Sequence, residues 1–204
     1  MANPAVASKY QLFTITKNNR SFPLQSKVTS FDYYESLLSP NITAIMTFVD
    51  TGLVEVDQNV ATYDKKYDSQ SRPGTLYNAL PIVGDGSEEI KFKISSALGT
   101  LDFSTTPLYV NGTSNPDQSS TRESVILSLV SKSAITNQQT FVKKNYSRST
   151  NNTQSVRLIA KNILKIDKLI ADETSNKYPF IGNNTSPFDV ICKIASKSAP
   201  KNGN

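Results

Sequence analysis

The chain has 204 residues and a formal net charge of +5, and it contains no His, no Trp and a single Cys, Cys192. It is long enough to bury a hydrophobic core, whereas histidine-based catalysis, histidine metal ligation, an internal disulfide and a cysteine-rich zinc site are excluded. Ser and Thr together number 45 and Asn 18, a composition that favours strands, turns and loops over long helices.

The charge is divided unevenly along the chain. Residues 1–110 carry nine Lys or Arg and eleven Asp or Glu, whereas residues 111–204 carry thirteen and six. Such asymmetry accompanies nucleic-acid binding or marks two different modules. Because no block of five like charges occurs, we expect a solvated basic face. No apolar run approaches the roughly 20 residues of a membrane-spanning helix, so we expect no membrane segment.

The first half of the chain is predicted to be β-structure. Strand patterns cover 10–16, 27–38 and 42–50, and Ser39-Pro40-Asn41 marks a turn before the third strand. One face of that strand consists of four apolar residues, Ile42, Ala44, Met46 and Phe48. The opposite face is also uncharged, so we expect the strand to be covered on both sides, by the core and by a partner. These four residues are our first candidates for a subunit interface.

Residues 57–79 are polar and predict a surface loop, without the residue spacing of a calcium site. The strongest β pattern follows at 90–94, where Ile, Phe and Ile alternate with two lysines. A turn at 98–100 then predicts a hairpin. Gly84-Asp85-Gly86 lacks the third glycine of a phosphate-binding loop and precedes a strand, so we predict only a turn there.

The second half changes character after a turn-rich polar stretch at 111–120, which we predict to be a linker. A strand is predicted over 123–131, and helical periods dominate beyond it. An apolar stripe from Val156 to Ile170 repeats every three or four residues. A basic stripe lies on another face and is either solvated or in contact with an acidic partner. Its residues are our remaining interface candidates, Arg157, Lys161, Lys165 and Lys168.

The last predicted helix has clear end signals. Ser186 can cap it, Pro187 suits its first turn, Asp189 completes a capping box, and Pro200 ends it. We expect its buried face to consist of Phe188, Ile191, Cys192 and Ala195. Cys192 is therefore interpreted as a small core residue and not as a nucleophile.

No arrangement of residues predicts catalysis. The Ser-x-x-Lys sequence from Ser198 to Lys201 contains Pro200, so it cannot form the helical turn that such a dyad needs. The acidic residues are isolated on predicted strands, where residues at odd spacing face opposite ways. We predict no enzymatic activity, no cofactor and no metal.

Three segments carry a recognisable order of motifs. They are FDYYESLLSPNITAIMTFVDTG (31–52), LPIVGDGSEEIKFKISSALGTLDF (80–103) and YPFIGNNTSPFDVICKIASKSAP (178–200). Along the chain, these segments contain a Tyr-rich strand, a Ser-Pro turn and a strand ending in Asp-Thr-Gly. A Leu-Pro-Ile approach to a Glu-Ile strand and a Ser-Pro-Phe-Asp helix come after them. In this order the chain resembles the baseplate hub protein of contractile-tailed, T-even-like phages.

The resemblance implies a structural virion protein of the tail baseplate, assembled in the host cytoplasm. Hubs of this family form homotrimeric rings of tube-like β-barrel domains and join the tail tube to the membrane-puncturing spike. The expected partners are copies of the chain, the tail-tube protein, the spike protein and the tape-measure protein. DNA passes through the channel without sequence recognition, and no catalytic residues are known in the hub.

The expected fold is α+β. Residues 1–110 are predicted to form an antiparallel β-barrel-like tube domain, 111–120 a linker and 121–204 a mixed strand-and-helix module. Because family members are longer, we expect a fragment whose module is incomplete at its C-terminus. A β-rich module that binds host-surface carbohydrate is an alternative, since the nine Tyr and many Asn and Ser suit sugars, although Trp is absent.

Overall fold

The computed structural model describes residues 8–36, 39–50, 80, 82–97, 99–118, 123–147 and 149–201. The chain forms two compact units, Met1–Lys132 and Ser133–Asn204, each with its own hydrophobic core. The division lies beyond the predicted linker at 111–120, because residues 111–118 continue a strand of the first unit. The predicted loop at 57–79 lies outside the described residues.

The strands of the first unit are β1 (Lys9–Lys17), β2 (Arg20–Pro23), β3 (Val28–Tyr34), β4 (Thr43–Asp50), β5 (Glu89–Ser96), β6 (Gly99–Asp102), β7 (Leu108–Gln118) and β8 (Glu123–Val130). They pair in the order β2-β1-β5-β7-β8-β4-β3, and β6 pairs with β5. Every pairing is antiparallel. With the helices of the second unit, this sheet confirms the predicted α+β class.

The alternation of residues explains most of these strands. In β5, Ile90 and Phe92 are fully buried, whereas Lys91 and Lys93, which alternate with them, face outward to partly exposed positions. β5 and β6 form the predicted hairpin, with Ser96 opposite Gly99. β2 was not predicted, although Asn18 and Asn19 signal the turn before it. Both have positive φ, as the two central residues of a tight hairpin turn require.

The sheet curls until its two ends pack against each other. The ring centroid of Phe31 in β3 lies 5.3 Å from that of Phe13 in β1 and 4.6 Å from that of Phe92 in β5. The ring of Phe103 stacks on that of Phe92, with a centroid distance of 4.7 Å. Among the described residues no ladder joins β2 to β3, so the sheet remains open where the sequence predicts a barrel-like domain.

Two buried ion pairs attach loops to this sheet. Lys17 Nζ lies 2.7 Å from Glu88 Oε1, and the amide of Val83 donates to the same oxygen at 2.7 Å. Lys27 Nζ lies 3.1 Å from Asp50 Oδ1. The side chains of Glu88 and Asp50 are both buried. Because an unpaired buried charge costs several kcal/mol, each loop is held where its charges meet.

A close backbone approach explains the Gly84-Asp85-Gly86 turn. Gly84 has a φ of +74°, and a Cβ atom there would lie 2.9 Å from the Cα of Gly112 in β7. The amide of Gly86 donates to the carbonyl of Val110 at 2.9 Å. The turn therefore packs backbone against backbone, which only glycine permits at this position.

The second unit packs helices on a short ribbon. Its elements are α1 (Lys132–Gln139, which begins at the last residue of the first unit), β9 (Asn145–Tyr146), α2 (Asn152–Asn162), β10 (Phe180–Ile181) and α3 (Pro187–Ser196). β9 and β10 pair antiparallel. The core consists of Val142, Tyr146, Ile159, Phe180, Val190 and Ile194.

The helix α2 is shorter than its apolar stripe predicts. It ends at Asn162, and Lys165 takes a left-handed conformation with a φ of +57°. The amide of Ile166 donates to the carbonyl of Ala160 at 3.0 Å, which closes the helix end. Ile170, the last residue of the predicted stripe, is therefore 89% exposed.

The helix α3 begins as predicted but buries a different face. Asn137 Oδ1 accepts a hydrogen bond from the amide of Phe188, and Ser186 Oγ accepts one from the amide of Asp189. The buried positions are Pro187, Phe188, Val190 and Ile194. The prediction that Cys192 is a core residue was wrong, because the buried stripe steps from 187 to 190 and 194 and leaves Cys192 exposed.

Buried polar side chains tie the start of α2 to the C-terminal segment. Asn152 Nδ2 donates to Ser198 Oγ at 3.0 Å, and Asn152 Oδ1 accepts from the amide of Tyr178 at 2.7 Å. Thr153 Oγ1 donates to the carbonyl of Asp172 at 2.7 Å. Such a satisfied network specifies one arrangement of the segments that it joins.

The aromatic core predicts a large difference between adjacent residues of β5. Phe92→Ala should lower the free energy of unfolding by about 3–5 kcal/mol, because it leaves a cavity among the rings. Lys91→Ala, its control on the outer face, should change it by less than about 0.5 kcal/mol. Urea unfolding followed by circular dichroism measures both, and equal losses would contradict the assigned faces.

The buried pair of Lys17 and Glu88 predicts a second contrast. Glu88→Gln should lower the free energy of unfolding by about 1–3 kcal/mol, because the partly buried Lys17 ammonium loses its counter-charge while the amide oxygen can still accept a hydrogen bond. The matched substitution Glu35→Gln, at an exposed residue of the same unit, should change it by less than about 0.5 kcal/mol. Chemical unfolding of the two variants beside the wild type is the measurement, and a Glu88→Gln variant as stable as Glu35→Gln would contradict the role of the pair.

Candidate assembly surfaces

The predicted interface face of β4 lies inside the first unit. Ala44, Met46 and Phe48 are buried in the core, and Ile42 packs against it. Met46 stands opposite Phe31 of β3 and Leu127 of β8, whose side chains share the interior. Ala44, Met46 and Phe48 therefore have no surface to offer another subunit, which corrects the sequence-based assignment for these three residues, whereas Ile42 is only partly buried.

The outer face of β4 points away from the core and is the face of this strand that another protein could contact. It consists of four uncharged residues, Thr43, Ile45, Thr47 and Val49. Ile45 is exposed, and so is Tyr34 in β3, which pairs with Thr43. Ser128 of β8 flanks Ile45 on the other side. Asp32 of β3 also stands directly opposite Ile45 and is exposed, so a protein that covers this apolar side chain must accommodate one carboxylate beside otherwise uncharged residues of β4.

Sequence reasoning missed Ile45 and Tyr34 as surface candidates. The alternation along β4 separates its two faces correctly, but both faces are uncharged, so the pattern contains no signal for which one is inside. The choice comes from β3, where Phe31 shares the inner side with Met46 and Tyr34 lies on the outer side with Thr43.

The predicted basic stripe does not form one helix face. Arg157 Nη1 lies 2.7 Å from Glu173 Oε1, and its Nη2 donates to the carbonyl of Ala171 at 3.1 Å. Lys161 lies in α2, whereas Lys165 and Lys168 follow the helix end. All four side chains are exposed, but Arg157 is engaged within its own unit.

Tyr109 lies at an electrostatically constrained position of the first unit. Its hydroxyl donates to Glu89 Oε1 at 3.2 Å, and Lys132 Nζ lies 5.7 Å from the centroid of its ring. Burial, followed by the negative charge of Glu89, raises the pKa of Tyr109 to about 12. Burial and the hydrogen bond to Glu35 likewise raise the pKa of Tyr33 to about 12. Both phenols are neutral near neutral pH.

Two features are absent from the described part of the chain, a metal-binding cluster and a membrane-spanning helix. Within it, no group of three or more Cys, Asp or Glu residues is placed to hold a metal ion. Among the helices of the described residues, none is long and apolar enough to cross a membrane.

Comparisons with known proteins show similarity only at the level of structure. No protein-family model and no curated protein matches the chain. The chain is similar to the tail protein from Neisseria meningitidis MC58, with a TM-score of 0.50 and 8% identity over 91% of this chain and 44% of that one. This similarity shows that the chain shares its fold with a tail protein.

Two further solved structures have lower scores. One is the 43 kDa tail protein of prophage MuSo2 from Shewanella oneidensis, with a TM-score of 0.48 and 12% identity over 91% of this chain and 50% of that one. The other is an E. coli component of the type VI secretion system, described as structurally similar to the T4 bacteriophage tail proteins gp27 and gp5. It has a TM-score of 0.45 and 10% identity over 95% of this chain and 41% of that one. The chain spans half or less of the length of these three proteins.

The raised tyrosine pKa values predict a loss of stability in alkaline solution. Because the folded-state pKa of Tyr109 lies above the ordinary value of 10.0, its contribution to stability is complete below pH 10 and is lost as the pH rises toward 12. Tyr33 acts in the same direction. Urea unfolding across this range should show a declining free energy of unfolding. Tyr109→Phe should reduce the decline, and a decline of equal slope in that variant would contradict the assignment.

Proposed function

We propose that this chain is part of a structural subunit of a contractile phage tail, the central baseplate hub that joins the tail tube to the membrane-puncturing spike. The observation that carries the proposal is the fold shared over 91% of the chain with the Neisseria meningitidis tail protein. The motif order of segments 31–52, 80–103 and 178–200 supports the narrower assignment to a hub.

The first unit has the properties that a ring subunit needs. Among the described residues, β3 is paired on one side only, so one row of its backbone groups is available to another chain. The uncharged outer face of β4 is adjacent to it. An edge and a face of this kind suit contacts between copies of one chain, and repeated head-to-tail contacts close into a ring. We propose a homotrimer.

The charge of the first unit suits a channel for DNA. Residues 1–132 carry eleven Lys or Arg and thirteen Asp or Glu, a net charge of −2. A strongly basic lining would bind phosphate groups and slow the passage of DNA, whereas a lining near neutrality would not. We propose that DNA passes along this unit without sequence recognition.

The remaining parts of the proposal follow from the role of a hub. The neighbours would be the tail-tube protein above, the spike protein below and the tape-measure protein within the channel. The subunit would be assembled in the host cytoplasm and remain in the virion tail. It would act by shape and would catalyse no reaction.

Electron microscopy tests the proposal on the whole protein. An antibody raised against this chain should label the baseplate end of the tail, and the purified protein should form threefold rings with a central hole. Labelling elsewhere on the particle, or a strictly monomeric protein at about 10 µM with and without its spike partner, would overturn the proposal.

Ring formation also predicts the effect of a substitution on β4. Ile45→Asp should weaken self-association at least about tenfold, because it places a charge on the proposed contact face. Ile170→Asp, at an exposed residue of the second unit, is the matched control and should leave association unchanged. Sedimentation velocity measures both. An Ile45→Asp variant that assembles like the wild type would exclude this face from the contact.

A further inference from the structure

A ribbon in the second unit exposes two large apolar side chains. Asn145 in β9 pairs with Ile181 in β10, and a bridge between Val142 and Thr185 extends the pairing. Ile181 is 71% exposed, and Phe141, the neighbour of Val142, is 52% exposed. We call the exposed part of this ribbon the ribbon face, defined by Phe141, Lys143, Lys144 and Ile181.

The exposure of Ile181 is a consequence of the ribbon geometry. Phe180 points into the core, and alternation along the strand directs Ile181 to the opposite side. At Gly182, a Cβ atom would lie 2.7 Å from the carbonyl oxygens of Val142 and Lys144. This close approach packs the backbones of the two segments together, so the outward direction of Ile181 is fixed.

Two lysines belong to the same ribbon as these apolar side chains. Lys143 and Lys144 lie between Phe141 and β9, whereas Lys193 Nζ of α3 lies 5.7 Å from the centroid of the Phe180 ring, on the side of the ribbon opposite to Ile181. All three lysines are exposed, and within the described ranges none of them is in an ion pair. Asp189 is one helical turn before Lys193, but its carboxylate accepts from the Ser186 hydroxyl.

The charge of the whole unit has the same sign. Residues 133–204 carry eleven Lys or Arg and four Asp or Glu, a net charge of +7. This unit would therefore attract an acidic partner from a distance and orient it before contact.

We propose that the ribbon face binds an acidic protein surface whose carboxylates surround an apolar pocket that receives Ile181. Carboxylates complement Lys143 and Lys144, and an apolar pocket removes Ile181 and Phe141 from water. Nucleic acid fits less well, because an isoleucine has no partner on a phosphate backbone. This contact goes beyond the hub role, since it adds an acidic partner whether or not the protein is a tail component.

Two synthetic probes separate the charge from the apolar part of the contact. The first is a random copolymer of glutamate and tyrosine, and the second is polyglutamate of the same length. Fluorescence anisotropy with the full chain should show tighter binding of the copolymer. Ile181→Ser should reduce the affinity for the copolymer at least about tenfold and leave that for polyglutamate unchanged. Lys143→Glu with Lys144→Glu should weaken the binding of both polymers.

Matched controls lie elsewhere on the same unit. Ile170→Ser removes an exposed isoleucine, and Lys165→Glu with Lys168→Glu makes the same change in net charge away from the ribbon. Ile170→Ser should bind both polymers like the wild type, and Lys165→Glu with Lys168→Glu should weaken binding clearly less than Lys143→Glu with Lys144→Glu, because it lowers the net charge of the unit without touching the ribbon. Thermal unfolding should show that all variants remain folded. Three results would overturn the proposal. They are no binding of the copolymer at about 100 µM, an equal loss in the control variants, or tighter binding of single-stranded DNA that Ile181→Ser leaves unchanged.

Discussion

Phe31 of β3 packs on Phe13 of β1 and Phe92 of β5, although β3 lies at the far end of the sheet from β1. These rings are removed from water only if the sheet curls, because a flat sheet would hold them strands apart. The curl decides the inner face of every strand at once. The packing of Phe31 on Phe13 and Phe92 therefore determines that Ile45 and Tyr34 point outward.

The same core dictates how the connecting segments are held. Glu88 and Asp50 are carboxylates in an apolar interior, and each is tolerated there because a lysine ends beside it. Gly84 lets a turn approach β7 more closely than any side chain would permit. These contacts give the first unit faces and edges of defined geometry, which the proposed association between copies would need.

The second unit is held together by other interactions than the first unit. It has few strands, and it relies on the buried amide of Asn152 and on two capped helices to hold its irregular segments. Its surface carries the positive charge of the chain, whereas the first unit is close to neutral. This division of charge suits one unit that associates with its own copies and another that meets an acidic partner.

Sequence alone determined the features that depend on near neighbours. Alternation located β1, β4, β5 and β8, and the Ser186-Pro187 pair located the start of α3, because strand periods and helix caps are local. The inner face of β4, the early end of α2 and the exposure of Cys192 were decided only by the tertiary structure. In each case the residues permit two arrangements of similar local energy, and the choice comes from burial against elements distant in the chain. A pattern read along one strand or helix contains no information about those elements.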